Sequence, residues 1–267
     1  MPSLTTYIDT LIFSEKINEL KICVQDESLG VHRGSHQPYP DVSERQDHLV
    51  RNYTCNSLYN VVKLARVNIF PMFTDIISAI FVVVADPDQN VKNVSELLVR
   101  LLKNIVTESK KFEVAAFVPV LRERMYTKDK FVRQFLVSWI SLLDSVPDSE
   151  MVKHLPEFLD PLFMILDDPS PEISTMCDNL LGEFLQHITA KPEVVDFPGM
   201  VNILISHSQP AEAGQNVQLQ VVSISWIREF VFLAGPAMLP YTSGGTKNSN
   251  YTNITIIVTI REALKKL

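Results

Sequence analysis

A structural element recurs along this chain at a constant spacing of 41 residues. Each copy is a turn rich in Asp, Pro or other polar residues, followed by a β-branched residue that opens a long amphipathic segment. The four β-branched anchors are Val50, Val91, Val132 and Ile173, and each position exceeds the one before it by 41. A period of this length is typical of helical-hairpin repeats. One hairpin cannot bury its apolar face alone, so the repeat predicts a stack of units.

The segment after each anchor keeps the apolar spacing of a helix. After Val91, apolar residues follow at offsets of 3, 6, 7, 10, 11 and 14, which places them in one broad stripe. A charge at Leu97 would therefore be expected to loosen the stacking of the units. The predicted repeat-core residues are Val91, Leu97, Leu98, Leu101, Trp139 and Trp226.

Shorter apolar segments lie between these helices, and each contains a proline near its expected start. Because proline is tolerated in the first turn of a helix, most of these prolines are interpreted as helix starts, while Pro119 lies later and is expected to kink its helix. A fifth copy begins at Leu219, after a polar stretch that takes up five extra residues. The pattern predicts an all-α HEAT/armadillo-type α-solenoid of about five helical-hairpin repeats.

The repeats divide the chain into three parts. Residues 48–241 form the predicted solenoid, residues 1–47 an N-terminal helix and flexible loop, and residues 242–267 a polar linker with a short C-terminal helix. Within the first part, residues 7–24 are predicted to form the first helix of the first hairpin. Neither end resembles a polar capping repeat, which suggests a fragment or alternative form of a longer solenoid.

A basic residue follows three of the anchors, at Arg51, Lys92 and Arg133. We interpret these residues as structural, because a base beside the carboxylates of the preceding turn can order one unit against its neighbour. A single exposed pair contributes roughly 0 to 1 kcal/mol, so such contacts would matter mainly as a ladder.

Composition excludes several classes of partner. The net charge is −7, from 31 acidic and 24 basic residues, and no basic block could neutralise a run of phosphates, which makes nucleic acid an unexpected partner. Three separated cysteines form neither a disulfide framework nor a metal pair. The most apolar stretch, residues 76–85, is about half the length that crosses a bilayer, so no transmembrane segment is predicted.

The sequence also lacks the motifs of an enzyme. Asp86, Asp88 and Asn90 imitate the start of a calcium loop, but the residues that should follow are replaced by Val91 and Leu97. We therefore predict a turn in which Asp88 or Asn90 caps the next helix. No phosphate-binding glycine pattern occurs, and the histidines have no partners at recognisable spacing. We expect no catalytic residue, no cofactor and no metal.

Two charged groups are candidates for contact with a partner protein. Arg122, Glu123 and Arg124 follow a predicted helix, and Lys110 and Lys111 form the strongest local basic group. For both groups the simpler interpretation is a solvated helix end.

Several segments resemble a known family. Ala85-Asp-Pro-Asp-Gln-Asn-Val-Lys92, Leu121-Arg-Glu-Arg124 and Met238-Leu-Pro-Tyr241 are among them, and the likeness extends from about residue 50 to residue 244. Together they resemble the vacuole-morphology HEAT-repeat scaffold family of the PIKfyve lipid-kinase complex.

The resemblance implies a function that composition and spacing alone do not give. It implies a cytoplasmic scaffold, peripheral on endosomal or vacuolar membranes, that binds the PIKfyve kinase and supports synthesis of phosphatidylinositol 3,5-bisphosphate. It also implies a Sac-domain phosphatase partner and self-association, both through a C-terminal region beyond the likeness. Two other interpretations are a general HEAT adaptor such as a transport receptor, and an enzyme, which would need a convergent set of catalytic groups.

Overall fold

The structure, a computed structural model, describes residue 15 and residues 42–109, 112–146, 149–208 and 217–234 of the 267-residue chain. Most of the predicted N-terminal part, and the whole of residues 242–267, lie outside the described residues, as do Lys110 and Lys111. The predicted domain boundaries at residues 47 and 241 stay predictions.

The described segments are helical and contain no strand. The prediction of an all-α fold built from helical hairpins is confirmed. Short 3-10 helices occupy Arg66–Met72 and Pro192–Val194. The α-helices are α1 (Val42–Ala65), α2 (Phe73–Val83), α3 (Gln89–Glu108), α4 (Val114–Arg122), α5 (Lys130–Ser145), α6 (Met151–Leu166), α7 (Pro171–Ala190), α8 (Phe197–His207) and α9 (Val217–Ala234).

The chain divides into two compact units, residues 1–120 and 121–267. In the first unit α3 packs against α1, α2 and the 3-10 helix that joins them. In the second unit α7 packs against α5, α6 and α9, and α8 packs against α6 and α9. Within each unit, therefore, the long second helices of successive hairpins lie beside one another.

The 41-residue period reappears in the turns that precede the second helices. The caps of α3, α5 and α7 stand at positions 88, 129 and 170, each 41 residues after the last. The Asp88 carboxylate accepts hydrogen bonds from the backbone N–H groups of Asn90 and Val91, and Asp129 does the same one repeat later. The prediction that Asp88 or Asn90 caps the helix is confirmed for Asp88.

A second acceptor lies two residues before each cap. The side chains of Asp86, Thr127 and Asp168 each accept a hydrogen bond from the backbone N–H of the capping residue, at 2.9, 3.2 and 2.8 Å. These bonds close the turn before the helix begins, because an Asp or Thr side chain can bond the backbone two residues on.

Two of the three basic residues after the anchors, Arg51 and Arg133, bind a carboxylate of the following turn. Arg51 donates from Nε and Nη2 to the Asp86 carboxylate at 2.6 and 3.3 Å, and both side chains are only 4% exposed. Arg133 forms the corresponding ion pair with Asp168. The prediction that these bases bind carboxylates of the preceding turn is therefore wrong for Arg51 and Arg133, because each binds a carboxylate 35 residues further along the chain. Arg133 also donates to the backbone carbonyls of Thr127 and Lys128 in its preceding turn.

Most of the predicted repeat-core residues are buried. Val91, Leu98 and Trp139 are inaccessible, and Trp226 is 2% exposed. Leu97, in contrast, is 50% exposed, so its prediction as a core residue is wrong, and Leu101 is only partly buried. The apolar stripe of α3 is wider than the surface that α1 and α2 cover, and Leu97 lies on the uncovered flank.

The prolines behave less regularly than predicted. Pro198 lies in the first turn of α8, as expected for a helix start. Pro156 and Pro161 lie inside α6, which begins earlier, at Met151, and Pro71 lies within a 3-10 helix. The interpretation of Pro71 and Pro156 as α-helix starts is wrong. In α6, apolar burial outweighs the backbone hydrogen bonds that its two prolines lose.

One described stretch, His48–Val83, is long and apolar enough to cross a membrane by length and composition. It comprises most of α1, the 3-10 helix and α2, and 44% of its apolar window is buried inside the protein. Ile76, Ile77 and Ile80 are fully buried in the first unit, where core helices have the same composition. The absence of a transmembrane segment stays a prediction.

The buried pair of the first unit allows a stability prediction. Asp86→Ala leaves the Arg51 guanidinium buried without its carboxylate, so the free energy of unfolding should fall by about 3–5 kcal/mol. Urea unfolding followed by circular dichroism measures the change. As a matched control, Glu108→Ala removes the exposed pair with Arg66, whose side chains are 64% accessible, and should cost at most about 1 kcal/mol. Equal losses in the two variants would contradict the structural role of the buried pair.

Candidate partner-binding surface

The uncovered flank of α3 carries a small apolar surface. Val94, Leu97 and Leu101 follow the spacing i, i+3, i+7, which places them on one face of the helix. Leu97 is 50% exposed at the centre, and the other two side chains are partly exposed. We call these three residues the α3 patch.

The repeat shows why Leu97 is unusual at its position. Its equivalents one repeat before, one after and two after are Asn56, Ser138 and Asn179, which are all polar. Asn179 is exposed and the other two are partly exposed. A position that faces solvent in each unit needs no leucine for folding. The leucine is therefore a candidate for a contact made outside the described fold.

Polar residues surround the α3 patch. Asn93, Arg100 and Asn104 are exposed on neighbouring turns of the same helix. An apolar centre with a polar rim that contains arginine is typical of protein interfaces. The arrangement can bind an apolar side chain of a partner, and it offers no group for covalent chemistry.

The charged residues predicted as a partner surface lie elsewhere. Arg122, Glu123 and Arg124 are exposed at the end of α4, where the second unit begins. Arg122 is held by an ion pair with Glu157 of α6. This residue therefore has a structural contact within the second unit, while Lys110 and Lys111 lie outside the described residues.

Sequence reasoning missed a polar network in the second unit. Asp160 accepts a hydrogen bond from the Tyr126 hydroxyl at 2.8 Å, and its other oxygen lies 2.8 Å from His207 Nε2. The His207 ring stacks on Phe163, and its side chain is mostly buried. Tyr126 and His207 are 34 and 47 residues away from Asp160 in the sequence, so no local motif could predict these contacts.

An open cleft in the second unit is lined by a histidine, a carboxylate and a serine, residue types that serve in nucleophilic catalysis. It has a volume of about 430 Å³ and contains a contact of 3.1 Å between His187 Nδ1 and the Asp144 carboxylate. The lining Ser145 hydroxyl donates to the Leu142 carbonyl and not to the histidine. Burial raises the pKa of the Asp144 carboxyl, and the neighbouring His187 opposes that shift. The pair orients two helices, α5 and α7, and activates no nucleophile.

The described thiols are equally unsuited to catalysis. Cys55 and Cys177 are fully buried, and burial raises the pKa of Cys55 to about 12. The pKa of Cys177 is raised for the same reason. A thiol that stays protonated at neutral pH is a poor nucleophile. Within the described ranges no three His, Cys, Asp or Glu side chains are grouped to hold a metal ion.

Comparison with known proteins identifies the region that carries the α3 patch. Residues 40–104 match the family model described as "Vacuolar 14 Fab1-binding region". These residues contain the whole of α1 and α2, most of α3, and the whole patch.

Curated relatives extend the likeness beyond that region. The chain is 44% identical to a VAC14 homologue of Arabidopsis thaliana over 196 residues, which cover 73% of this chain and 26% of that protein. A VAC14 homologue of Schizosaccharomyces pombe is 35% identical over 53% of the chain and 22% of its own length. The vacuole morphology and inheritance protein 14 of Saccharomyces cerevisiae is 29% identical over 54% of the chain and 21% of its own length.

The chain therefore spans about a quarter of the length of the curated relatives that it matches. No solved structure matches it.

The α3 patch predicts a difference between two adjacent leucines. Leu98→Ala should lower the free energy of unfolding by about 2–5 kcal/mol, because Leu98 is inaccessible and its loss leaves a cavity. Leu97→Ala should cost less than about 1 kcal/mol, because half of that side chain already faces solvent. Urea unfolding of both variants measures the difference. A large loss for Leu97→Ala would place it in the core after all.

The buried carboxyl of the cleft predicts a pH dependence. Because the pKa of Asp144 is higher in the folded than in the unfolded chain, its ionisation opposes folding, and this cost disappears as pH falls through the raised pKa. Asp144→Asn should therefore melt at a higher temperature than the wild type at about pH 7, and the difference should shrink towards about pH 4. The exposed Glu193→Gln is the control, with no such trend expected. A lower melting temperature for Asp144→Asn at neutral pH would contradict the assignment.

Proposed function

Because the chain is a partial VAC14-like protein, we propose that it is a non-catalytic scaffold or regulatory subunit that binds a phosphoinositide kinase of the Fab1/PIKfyve type. The observation that carries the proposal is the position of the α3 patch inside the segment that matches a Fab1-binding region. The name of the Saccharomyces cerevisiae relative adds the association with vacuole morphology.

The contact chemistry of the patch supports a protein partner. Leu97 offers a half-exposed apolar side chain on a helix whose adjoining side is packed through Leu98 and Leu102, both inaccessible. Because half of the Leu97 side chain is already buried, removing the rest from water on binding contributes only about half of the full burial value, roughly 1 kcal/mol. Arg100 at the rim can add a charge-assisted hydrogen bond. These are the features of a small interface centre.

The proposal extends to the consequences of kinase binding. We expect this scaffold to support synthesis of phosphatidylinositol 3,5-bisphosphate, from the cytoplasmic side of endosomal or vacuolar membranes. The Sac-domain phosphatase and self-association belong to the same proposal, on the basis of the family resemblance alone. Neither rests on a described side chain.

A general protein-binding adaptor is the second candidate. Grooves between the second helices of the second unit favour it, since one of about 500 Å³ between α7 and α9 has polar walls at Ser225, Arg228 and Glu229. A transport receptor would bind its cargo through such surfaces and would have no need of an apolar residue at position 97.

Kinase binding can be tested at the α3 patch. Leu97→Arg should reduce capture of a Fab1/PIKfyve-type kinase by this chain at least tenfold, because it places a charge at the centre of the apolar contact. Its melting temperature should change little, since the new side chain can extend into solvent. Co-precipitation from lysate, with the kinase detected by antibody, measures capture, and circular dichroism measures stability.

The repeat supplies a matched control for this variant. Asn179→Arg introduces the same side chain at the equivalent exposed position of α7, outside residues 40–104. It should leave kinase capture unchanged. If both variants, or neither, reduced capture, the α3 patch would not be the kinase contact.

A further inference from the structure

Helix α1 exposes an apolar face whose equivalents in the later second helices are buried. Val50 in α1 occupies the same repeat position as Val91, Val132 and Ile173. Those three residues are 0, 7 and 2% exposed, whereas Val50 is 47% exposed. The residue type is kept and its burial is lost, so among the described residues α1 has no packing partner of the kind that the later second helices have.

The exposed face continues along α1. Tyr53 is 70% exposed and Leu64 is 86% exposed, and with Val50 and the partly exposed Val61 they follow helical spacing. We call these four residues the α1 face. The adjoining side of the helix is occupied, because Leu58 is inaccessible where α1 packs against α3.

The missing partner corresponds to the first helix of a hairpin. In the described hairpins α2–α3, α6–α7 and α8–α9, the first helix packs against the second. In α7 this contact includes a hydrogen bond from Cys177 Sγ to the Leu162 carbonyl of α6. Among the described segments, no helix stands before α1 in that role.

Residues 13–24 have the sequence that this role requires. Phe13, Ile17, Leu20 and Val24 follow the spacing i, i+4, i+7, i+11, which gives one apolar stripe in a helix. Glu15, the described residue of this segment, is helical and exposed. It stands two positions after Phe13, about 200° away around a helix, and therefore on the side opposite the stripe.

The connection to α1 is long enough. Between residues 24 and 42 the chain can extend by up to about 60 Å, whereas a 24-residue helix such as α1 is about 36 Å long. The connection therefore lets the segment lie antiparallel to α1 at any position along that helix, as the first helix of a hairpin does. In that arrangement the apolar stripe of the segment and the α1 face would bury each other.

We propose that residues 13–24 pack on the α1 face and complete the first hairpin of the repeat stack. This packing covers Val50, Tyr53 and Leu64 without a second protein. It is independent of kinase binding, because the α3 patch lies on another helix.

Hydrogen exchange of the full chain, without any partner, tests the packing. In the wild type the amides of residues 13–24 should exchange at least tenfold more slowly than expected for an unfolded peptide, and equally slowly at low and high protein concentration. In Tyr53→Asp/Leu64→Asp that protection should be lost. Because both side chains are already largely exposed, this variant should keep α3 and α7 protected.

Two further variants complete the experiment, one outside the α1 face and one within residues 13–24. Met164→Asp, at an exposed apolar position of α6, should leave residues 13–24 protected. The reciprocal Ile17→Asp/Leu20→Asp should remove their protection and increase exchange in α1. Rapid exchange of residues 13–24 in the wild type would overturn the proposal. Protection that increases with concentration would assign the α1 face to a second copy, and protection that survives Tyr53→Asp/Leu64→Asp would place the segment elsewhere.

Discussion

The turn carboxylate is the constraint on which each described stack depends. Asp86 accepts the backbone N–H of the capping residue Asp88 and also binds Arg51 from the preceding second helix. One side chain thus fixes the geometry of its own turn and the register of the neighbouring helix. Because the pair is almost fully buried, its charges must meet in this geometry to offset their loss of hydration. Asp168 serves both purposes in the second unit, where it accepts from the Ser170 N–H and binds Arg133. The constant spacing of the repeat follows from this double contact, since inserting a residue between carboxylate and cap would break one of the two bonds.

The sequence predicted the parts of the structure that local spacing determines. The repeat period, the helical hairpins and the cap at Asp88 could be read directly, because each depends on residues a few positions apart. Leu97 was assigned wrongly because an apolar stripe shows which residues can be buried, and only the neighbouring helices decide how much of it is covered. The contact of Asp160 with His207 joins residues 47 positions apart, and the direction of the Arg51 ion pair depends on how successive hairpins stack. Both needed the structure.

Comparison between repeats shows which exposed apolar side chains indicate a missing contact. An exposed apolar side chain is common on proteins and says little by itself. Leu97 and Val50 are informative because their repeat equivalents supply an internal reference. Leu97 is exposed to a similar degree as its repeat equivalents, but it is apolar where they are polar, which favours a contact with another molecule. Val50 is β-branched and apolar like its repeat equivalents, but it is exposed where they are buried, which favours an intramolecular neighbour outside the described residues. The same surface property thus supports two different interpretations, and the repeat distinguishes them.

The two buried thiols give the molecule a built-in reporter for each unit. Cys55 belongs to the first unit and Cys177 to the second, and both are inaccessible while their unit is folded. A thiol reagent can reach either sulfur only through local or global opening, so the labelling rate at each position measures the free energy of that opening. Because labelled peptides identify the position, one labelling experiment in increasing denaturant would show whether the two units unfold together or one after the other. The burial that makes these cysteines inert thus makes the cooperativity of the chain measurable.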